Sequence, residues 1–330
     1  MKAVCTLLFL LLAGVIFNLG LGTAAISYGE IIRILFNFSP NAFTEHEAII
    51  FLIRMPRIVL AVLVGGALGT AGCVMQGLYR NPMADPSIIG ISSGATLGAV
   101  SAIFFSLPGL YTQPFLAVTG GVLVAFLVLR LAVRQDKIQM MTLLLAGIAV
   151  STFLSAVTSL MLSFCYEYQL KQFLFWTIGG LDGANWHHIH LIIVPIISGV
   201  IFLCFYACEL NLLNLGEEEA QSLGLNPTKT RSRLLIASSL VTALAVSVSG
   251  TIGFVGLIIP HILRLLVGSD HRLLLPVSAL GGSVFLLYAD LIARTVFPLG
   301  EIRVGIVTAL IGAPYFLYLL LQHRKGGLNF

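Results

Sequence analysis

Glu217, Glu218 and Glu219, followed by Ala220, Leu223 and Gly224, form the densest run of chemistry-bearing residues in the sequence. Three acids in a row favour a helix N-terminus through the backbone dipole, and Gly224 sits where a C-terminal cap belongs. The segment reads as a short helix, a turn, and then Lys229, Arg231 and Arg233 entering an apolar run. A short helix exposing Ala220 and Leu223 can dock into a groove on a partner, and a solvated charged turn is the plainer alternative. A second cluster, Trp186, His187, His188 and His190, has the residue types of a metal site. His187 and His190 are three apart and can face one way, yet Asp182 is the one acid nearby and no cysteine accompanies them. Anchoring at the outer membrane surface is the stronger reading, and no metal is assigned.

Catalytic signatures are missing. The sequence has no His-Glu-x-x-His and no Cys-x-x-Cys, and its one Gly-x-Ser-x-Gly match, Gly90–Ile91–Ser92–Ser93–Gly94, lies in a continuous apolar run rather than on a strand-to-helix turn. Gly224 to Thr230 ends in Lys229–Thr230 but carries Thr228 where a phosphate-wrapping loop needs its second glycine. No catalytic residue and no bound cofactor are therefore expected in this chain, and any ATP and magnesium must sit in another one.

The elements that position these residues follow from composition. Of 330 residues 58% are hydrophobic and 10% charged, and the mean hydropathy is +1.01. Soluble domains carry roughly 25% charge and about 45–50% apolar residues, so a soluble enzyme and a disordered chain are excluded. The apolar runs are continuous rather than alternating, which argues against a β-barrel. A net charge of +4 gives no reason to expect nucleic acid, and five cysteines imply no disulfide framework.

A membrane-crossing helix needs about 20 apolar residues. Val4–Leu21, Ile58–Leu78, Ile88–Leu107, Phe115–Val133, Met141–Leu162, Ile189–Cys208, Leu234–Ser249, Leu273–Phe297 and Val304–Leu321 qualify. Ile252–Val267 is shorter, carries Pro260, His261 and Arg264, and reads as a broken helix that still crosses. Ten crossings put both termini on one side. The fold class is all-α: a single polytopic membrane domain over residues 1–330 with about ten transmembrane helices. The first run could be a secretory signal with Thr23–Ala24–Ala25 as its cleavage site, but its length and the even span count favour a retained helix. With the N-terminus inside, twelve Lys and Arg fall on the inner side and six on the outer, the bias of a cytoplasmic N-terminus. The outer six are Arg33, Arg54, Arg57, Lys171, Arg294 and Arg303.

Gly65, Gly69, Cys73 and Gly77, and then Gly90, Gly94 and Gly98, are stripes of small residues that let helices approach closely in lipid. They could pack as a pair that moves as a unit. Between them Arg80–Asn81–Pro82–Met83–Ala84–Asp85–Pro86 is a polar, proline-stiffened turn suited to a gate. Gly250–Thr251–Ile252–Gly253–Phe254–Val255–Gly256 is too glycine-rich for an ordinary span, and irregular backbone at membrane depth points to a transport pathway or its lining. Asp290 is the main acid within a span, so a carrier driven by an ion gradient would couple through it. Such a carrier usually has more ionisable groups near the midplane.

Together, Arg54–Met55–Pro56–Arg57, the run from Gln76 to Gly94, Leu215–Gly224, the run from Gly250 to Arg272 and that from Val304 to Leu321 resemble the FecCD family. These are permeases of type II ABC importers for iron–siderophore, haem and vitamin B12. The resemblance implies a vitamin B12 importer permease-like fold in the bacterial inner membrane, with cytoplasmic termini. It implies a second permease copy, two ATPase subunits and an extracytoplasmic substrate-binding protein as partners, besides membrane lipid. The pathway would lie between two copies, lined largely by the fifth span. The resemblance gives Glu217, Glu218, Glu219, Ala220, Leu223 and Gly224, within a pair of helices at about 211–228, the role of coupling to the ATPases. Glu219 departs from the alanine common at that place in the broader motif. The same resemblance makes Arg54, Arg57, Arg294 and Arg303 contacts for the binding protein, and Asn81, Met83, Gln139 and Met140 the cytoplasmic gate. Ferric siderophore is the first expectation for cargo, with haem and cobalamin behind it.

Overall fold

The computed structural model describes residues 2–325 except 23, 25, 37–43, 135–136 and 297–299. Thr23 and Ala25 of the possible cleavage site, and Phe297 at the end of one predicted span, lie outside the described residues.

The chain is helical. In order, α1 is Lys2–Gly20, α2 Tyr28–Phe36, α3 Glu45–Ala48, α4 Met55–Tyr79, α5 Ile91–Phe104, α6 Thr112–Ala132, α7 Met140–Leu162 and α8 Glu167–Ile178. Then come α9 Trp186–Phe205, α10 Ala207–Leu215, α11 Glu217–Ser222, α12 Pro227–Ser249, α13 Val255–Val267, α14 His271–Thr295 and α15 Val304–Lys325. Among the described residues seven helices are long and apolar enough to cross a membrane, and α5, α13 and the Val304–Leu319 part of α15 are shorter apolar helices. Together these are the ten spans expected. β-Structure among the described residues is one ladder pairing Val133 with Ile138 and Arg134 with Lys137.

The outer stretch Gly22–Arg57, read from sequence as a loop, is largely helical. Thr44 caps α3 reciprocally with Glu47, and the backbone runs through a π-turn, Ile49–Arg54, directly into α4. The wider π-turn comes just before Pro56, which then sits in the first turn of α4, where its missing N–H costs nothing. The other long loops likewise hold α8, α10 and α11.

The glycine stripes pack, but not on each other. A methyl at Gly65 would stand 2.3 Å from the Gly282 carbonyl oxygen, and one at Gly69 2.3 Å from that of Ser278. So α4 lies backbone to backbone on α14. Gly94 and Gly98 of α5 meet Gly120 and Leu116 of α6 in the same way. The pair suggested by sequence is thus two separate pairs. Gly72 is tighter than Gly65 and Gly69, with a built methyl 1.9 Å from the Gly256 carbonyl oxygen of α13. Backbone cannot yield as a side chain does, so Gly72→Ala is expected to cost about 1–3 kcal/mol, read as a lower thermal midpoint of the purified chain.

α1 is part of this bundle. Gly14 abuts Leu287 and Tyr288 of α14, and the buried Asn18 amide donates to the Gly14 and Leu287 carbonyls at 2.8 and 3.3 Å.

Candidate functional site

At the outer end a buried ionic network joins α1, α4, α14 and the approach to α15. Arg57 Nε donates to both Asp290 oxygens at 2.9 and 3.0 Å, and its Nη1 pairs with Glu301 at 2.6 Å. Arg294 Nε lies 3.3 Å from Asp290, and its Nη2 donates to the Asn18 side chain. Arg54 donates to the carbonyls of Leu19 and Ala24. Arg54, Arg57 and Arg294 are 3%, 5% and 7% exposed, so in this conformation they present no surface to a docking protein. The carboxylates that Arg57 and Arg294 meet are supplied by this chain, and Arg54 is satisfied by its carbonyls. Sequence spacing did not reveal that, because Arg57 and Asp290 are 233 positions apart. Arg303 is different: it pairs with Asp182 at 2.5 Å with a quarter of its side chain exposed and lies over the Phe175 ring. Arg33 and Lys171, left out of the expected set, are exposed on the same side.

The network also bears on Asp290 as an ion-coupling residue. The side chain is 1% exposed and held between two guanidinium groups. A carboxylate so committed has no face left for a transported cation.

The histidines divide. Tyr111 Oη lies 3.4 Å from His187 Nδ1, and His190 stacks on Trp186, whose indole donates to the Phe51 carbonyl at 2.8 Å. His188 lines a cavity of about 570 Å³ with Tyr168, Gln172 and Trp176. No group of three His, Cys, Asp or Glu residues among the described ones is arranged to hold a metal.

At the opposite end α11 stands between two glycines at positive φ. Gly216 has φ 144° and Gly224 φ 84°, and the Leu225 and Gly224 amides close the helix on the Ala220 and Gln221 carbonyls. Asn226 then caps α12, accepting from the Lys229 amide at 3.0 Å. Glu217 is tied to Arg231 of α12, which fixes α11 on the bundle. Ala220 is fully buried and belongs to that anchoring face, not to the exposed surface expected for it. Leu223 is 61% exposed, and Leu215, which sequence reading passed over, is 62% exposed. Glu218 and Glu219 are exposed beside them. The result is a rigid knob with apolar tips and an acidic start.

The expected gate residues lie on two segments that pack together. Asn81 Oδ1 accepts from the Met83 amide at 2.9 Å, forming a local turn, and Asp85 caps the 3-10 turn Pro86–Ile89. That turn sits on α7, where the bare face of Gly147 meets the Ile88 carbonyl and Gly90, at φ 86°, meets Ser151. Gln139 is the N-cap of α7, bonded to Thr142 at 3.0 Å, and Met140 follows. Met83 and Met140 are both half-buried. α7 buries Leu143, Gly147 and Thr158 and leaves Met141, Leu145, Ile148 and Phe153 exposed.

The glycine-rich break before α13 is supported as irregular backbone in lipid requires. The Gly180 amide donates to the Ser249 carbonyl at 2.8 Å and that of Gly305 to Gly179 at 3.1 Å. Thr251 donates to the Thr177 carbonyl, and Gln76 Nε2 reaches the Leu257 carbonyl at 2.9 Å. Asp85, Ser87, Ser92, Thr242, Thr251 and Gly253 help line a cavity of about 330 Å³ beside the break.

A bundle of ten apolar helices, packed through glycines around a buried ionic lock and carrying an exposed short helix at one end, defines a polytopic membrane transport subunit. The family model of the FecCD transport family matches residues 10–322, and the chain belongs to that family. It is 48% identical over 277 residues to the cobalamin import system permease protein BtuC of Halobacterium salinarum, covering 83% of this chain and 73% of that protein. It is 42% identical over 325 residues to the hemin transport system permease protein HmuU of Yersinia pestis, covering 96% and 95%. A solved metal-chelate type ABC transporter in an inward-facing conformation superimposes with a TM-score of 0.87 at 34% identity, over 97% of this chain and 99% of that one. The chain is accordingly a multi-span permease of the type II ABC importer class for metal chelates.

Proposed function

We propose that two copies of this chain form the pathway of an importer that carries a tetrapyrrole-type chelate, cobalamin or haem, into the cytoplasm. The cobalamin and hemin permeases among its relatives favour that cargo over ferric siderophore. The exposed helix α11 is the observation that carries the mechanism. With Leu215 at the end of α10, it offers Leu223 and the acids Glu218 and Glu219 to an ATPase subunit, while Glu217 and Ala220 pin it to the bundle. ATP and magnesium bind in that partner. A substrate-binding protein delivers cargo at the outer face, where Arg303, together with the exposed Arg33 and Lys171, is available for its acidic groups. Arg54, Arg57 and Arg294 hold the outer ends of the helices in register. The termini lie in the cytoplasm, a placement that the distribution of Lys and Arg supports.

Alternating access follows from two packed blocks and a loosely buried α7. ATP-driven closure of the ATPases pushes α11, and the turn at Asn81–Met83 moves with α7 because Gly147 and Gly90 hold them together. Met83 and Met140 close the inner mouth without gripping polar cargo.

The test is uptake into liposomes that hold the chain with its ATPase, supplied with a loaded binding protein. Uptake of cobalamin or haem that needs ATP, and a rise in solute leak or idle ATP hydrolysis on Met83→Ala with Met140→Ala, are the expected results. Uptake by the chain alone down an ion gradient would sink this reading, and uptake of a ferric siderophore alone would reverse the cargo assignment.

A further inference from the structure

Beside α11, four segments enclose a second cavity, of about 380 Å³. Its wall takes Arg80, Asn81 and Pro82 from the turn after α4, Asn214 from α10, His261 and Arg264 from α13, and His271 from the start of α14. Transport as proposed above uses none of its cationic side chains.

The charges in this wall are unbalanced. Arg80 spends one nitrogen on the Leu213 carbonyl, and Arg264 spends Nη1 on Gln76 Oε1 at 2.8 Å. Both bonds are to neutral acceptors, and neither arginine has an ion pair among the described residues. Gln76 in turn gives its amide to the Leu257 carbonyl, so its oxygen faces Arg264 by necessity. Asp270, next to His271 in the chain, is engaged elsewhere. It accepts from the Asn211 amide at 2.7 Å and from the Arg272 backbone at 3.0 Å, and it caps α14.

His271 adds an independent observation. The residue is 1% exposed. Asn211 Oδ1, whose amide nitrogen is given to Asp270, accepts from both the backbone N–H and Nδ1 of His271, at 3.0 and 2.7 Å. The ring is therefore fixed, with its proton on Nδ1. Nε2 is buried and has no partner, and it stands against Gly77 in the cavity wall. A buried polar atom left unpaired costs about 1–3 kcal/mol, and a ligand that satisfies it removes that cost.

We propose that this cavity binds a phosphate group, which places its anionic oxygens on Arg80 and Arg264 and an O–H, or a shared proton, on His271 Nε2. Guanidinium forks suit phosphate oxygens, and a half-dry cavity strengthens the attraction. The phosphate has two possible sources, an anionic lipid headgroup or a soluble phosphate. Leu265 lines the cavity and, like Leu266, is about 70% exposed, which provides apolar surface for acyl chains. Basic pockets between membrane helices on the cytoplasmic side are suited to such headgroups. An occupant would bridge the gate turn, α10 just ahead of α11, and the α13–α14 corner. Binding itself does not depend on the importer reading or on its cargo.

The test uses the purified full chain in nanodiscs. In discs of mixed phosphatidylglycerol and phosphatidylcholine, native mass spectrometry reads which lipid stays bound. In discs of phosphatidylcholine alone, calorimetry and the thermal midpoint read binding of inorganic phosphate against chloride at equal ionic strength. Retained phosphatidylglycerol without a phosphate response marks the lipid as source; a phosphate response marks a soluble ligand; both support the site. Arg80→Gln and Arg264→Gln are each expected to weaken binding at least about tenfold, while Arg130→Gln, exposed near the end of α6, leaves it unchanged. Unchanged binding in both cavity variants overturns the proposal. If those variants do not fold, the wild type still decides: neither retained anionic lipid nor a phosphate response overturns it.

Discussion

Asp290→Ala will lower the stability of the chain by about 3–5 kcal/mol, because it leaves Arg57 and Arg294 buried without their shared carboxylate. Glu301 offsets part of the loss for Arg57, at 2.6 Å, but it is a third exposed and does not reach Arg294 in the way Asp290 does. The thermal midpoint of the purified protein measures this. Adding Arg57→Met and Arg294→Met to Asp290→Ala restores part of the loss, since removing all three charges removes the desolvation penalty along with the attraction. The same variant separates the two transport mechanisms. If Asp290→Ala keeps its thermal midpoint yet abolishes uptake, the carboxylate works on transported ions and the structural role assigned to it here is wrong.

Leu223→Asp will leave the fold intact and cut affinity for the ATPase by roughly 30-fold, about 2 kcal/mol, the loss expected for a central apolar anchor. Leu223 is exposed and lies at the C-terminal end of α11, so the substitution creates no cavity and buries no charge in the free chain. Co-purification of the two subunits and permease-dependent ATP hydrolysis read the effect. Ala220→Asp behaves oppositely: that methyl is fully buried, so it damages α11 itself and lowers the thermal midpoint first. If Leu223→Asp binds and stimulates the ATPase as the wild type does, α11 is not the contact.

Much of this architecture could be read from the sequence, because lipid leaves few choices. Continuous apolar runs must be helices, and the runs from Val4, Phe115 and Met141 became α1, α6 and α7 with ends shifted by a few residues. Turn chemistry was equally direct at Asp85, Gly224 and Asn226, each of which caps as its residue type prescribes. What the sequence concealed was pairing over distance. Nothing in the order of residues says that Arg57 finds Asp290, that Gly72 finds Gly256, or that the α4 stripe lies on α14 and not on α5. The arginines at the outer ends consequently looked free. α8 was hidden in a loop because Glu167, Lys171 and its polar residues dilute its hydropathy. At the candidate site the short helix was legible and its exposure was not: α11 lies where it was read, but its inward face, Ala220, was read as outward.

The contacts at Gly65, Gly69 and Gly72 have a mechanical consequence. Most helix interfaces contain side chains that change rotamer under load, and each such change absorbs part of a displacement. Where main chain rests on main chain, no rotamer change is available to absorb it, and only bending or sliding of whole helices remains. α4, α13 and α14 are therefore joined with almost no side-chain compliance. A stroke delivered at the end of this block near Arg80 and Arg264 loses little to side-chain rearrangement at these contacts on its way to the end that holds Asp290.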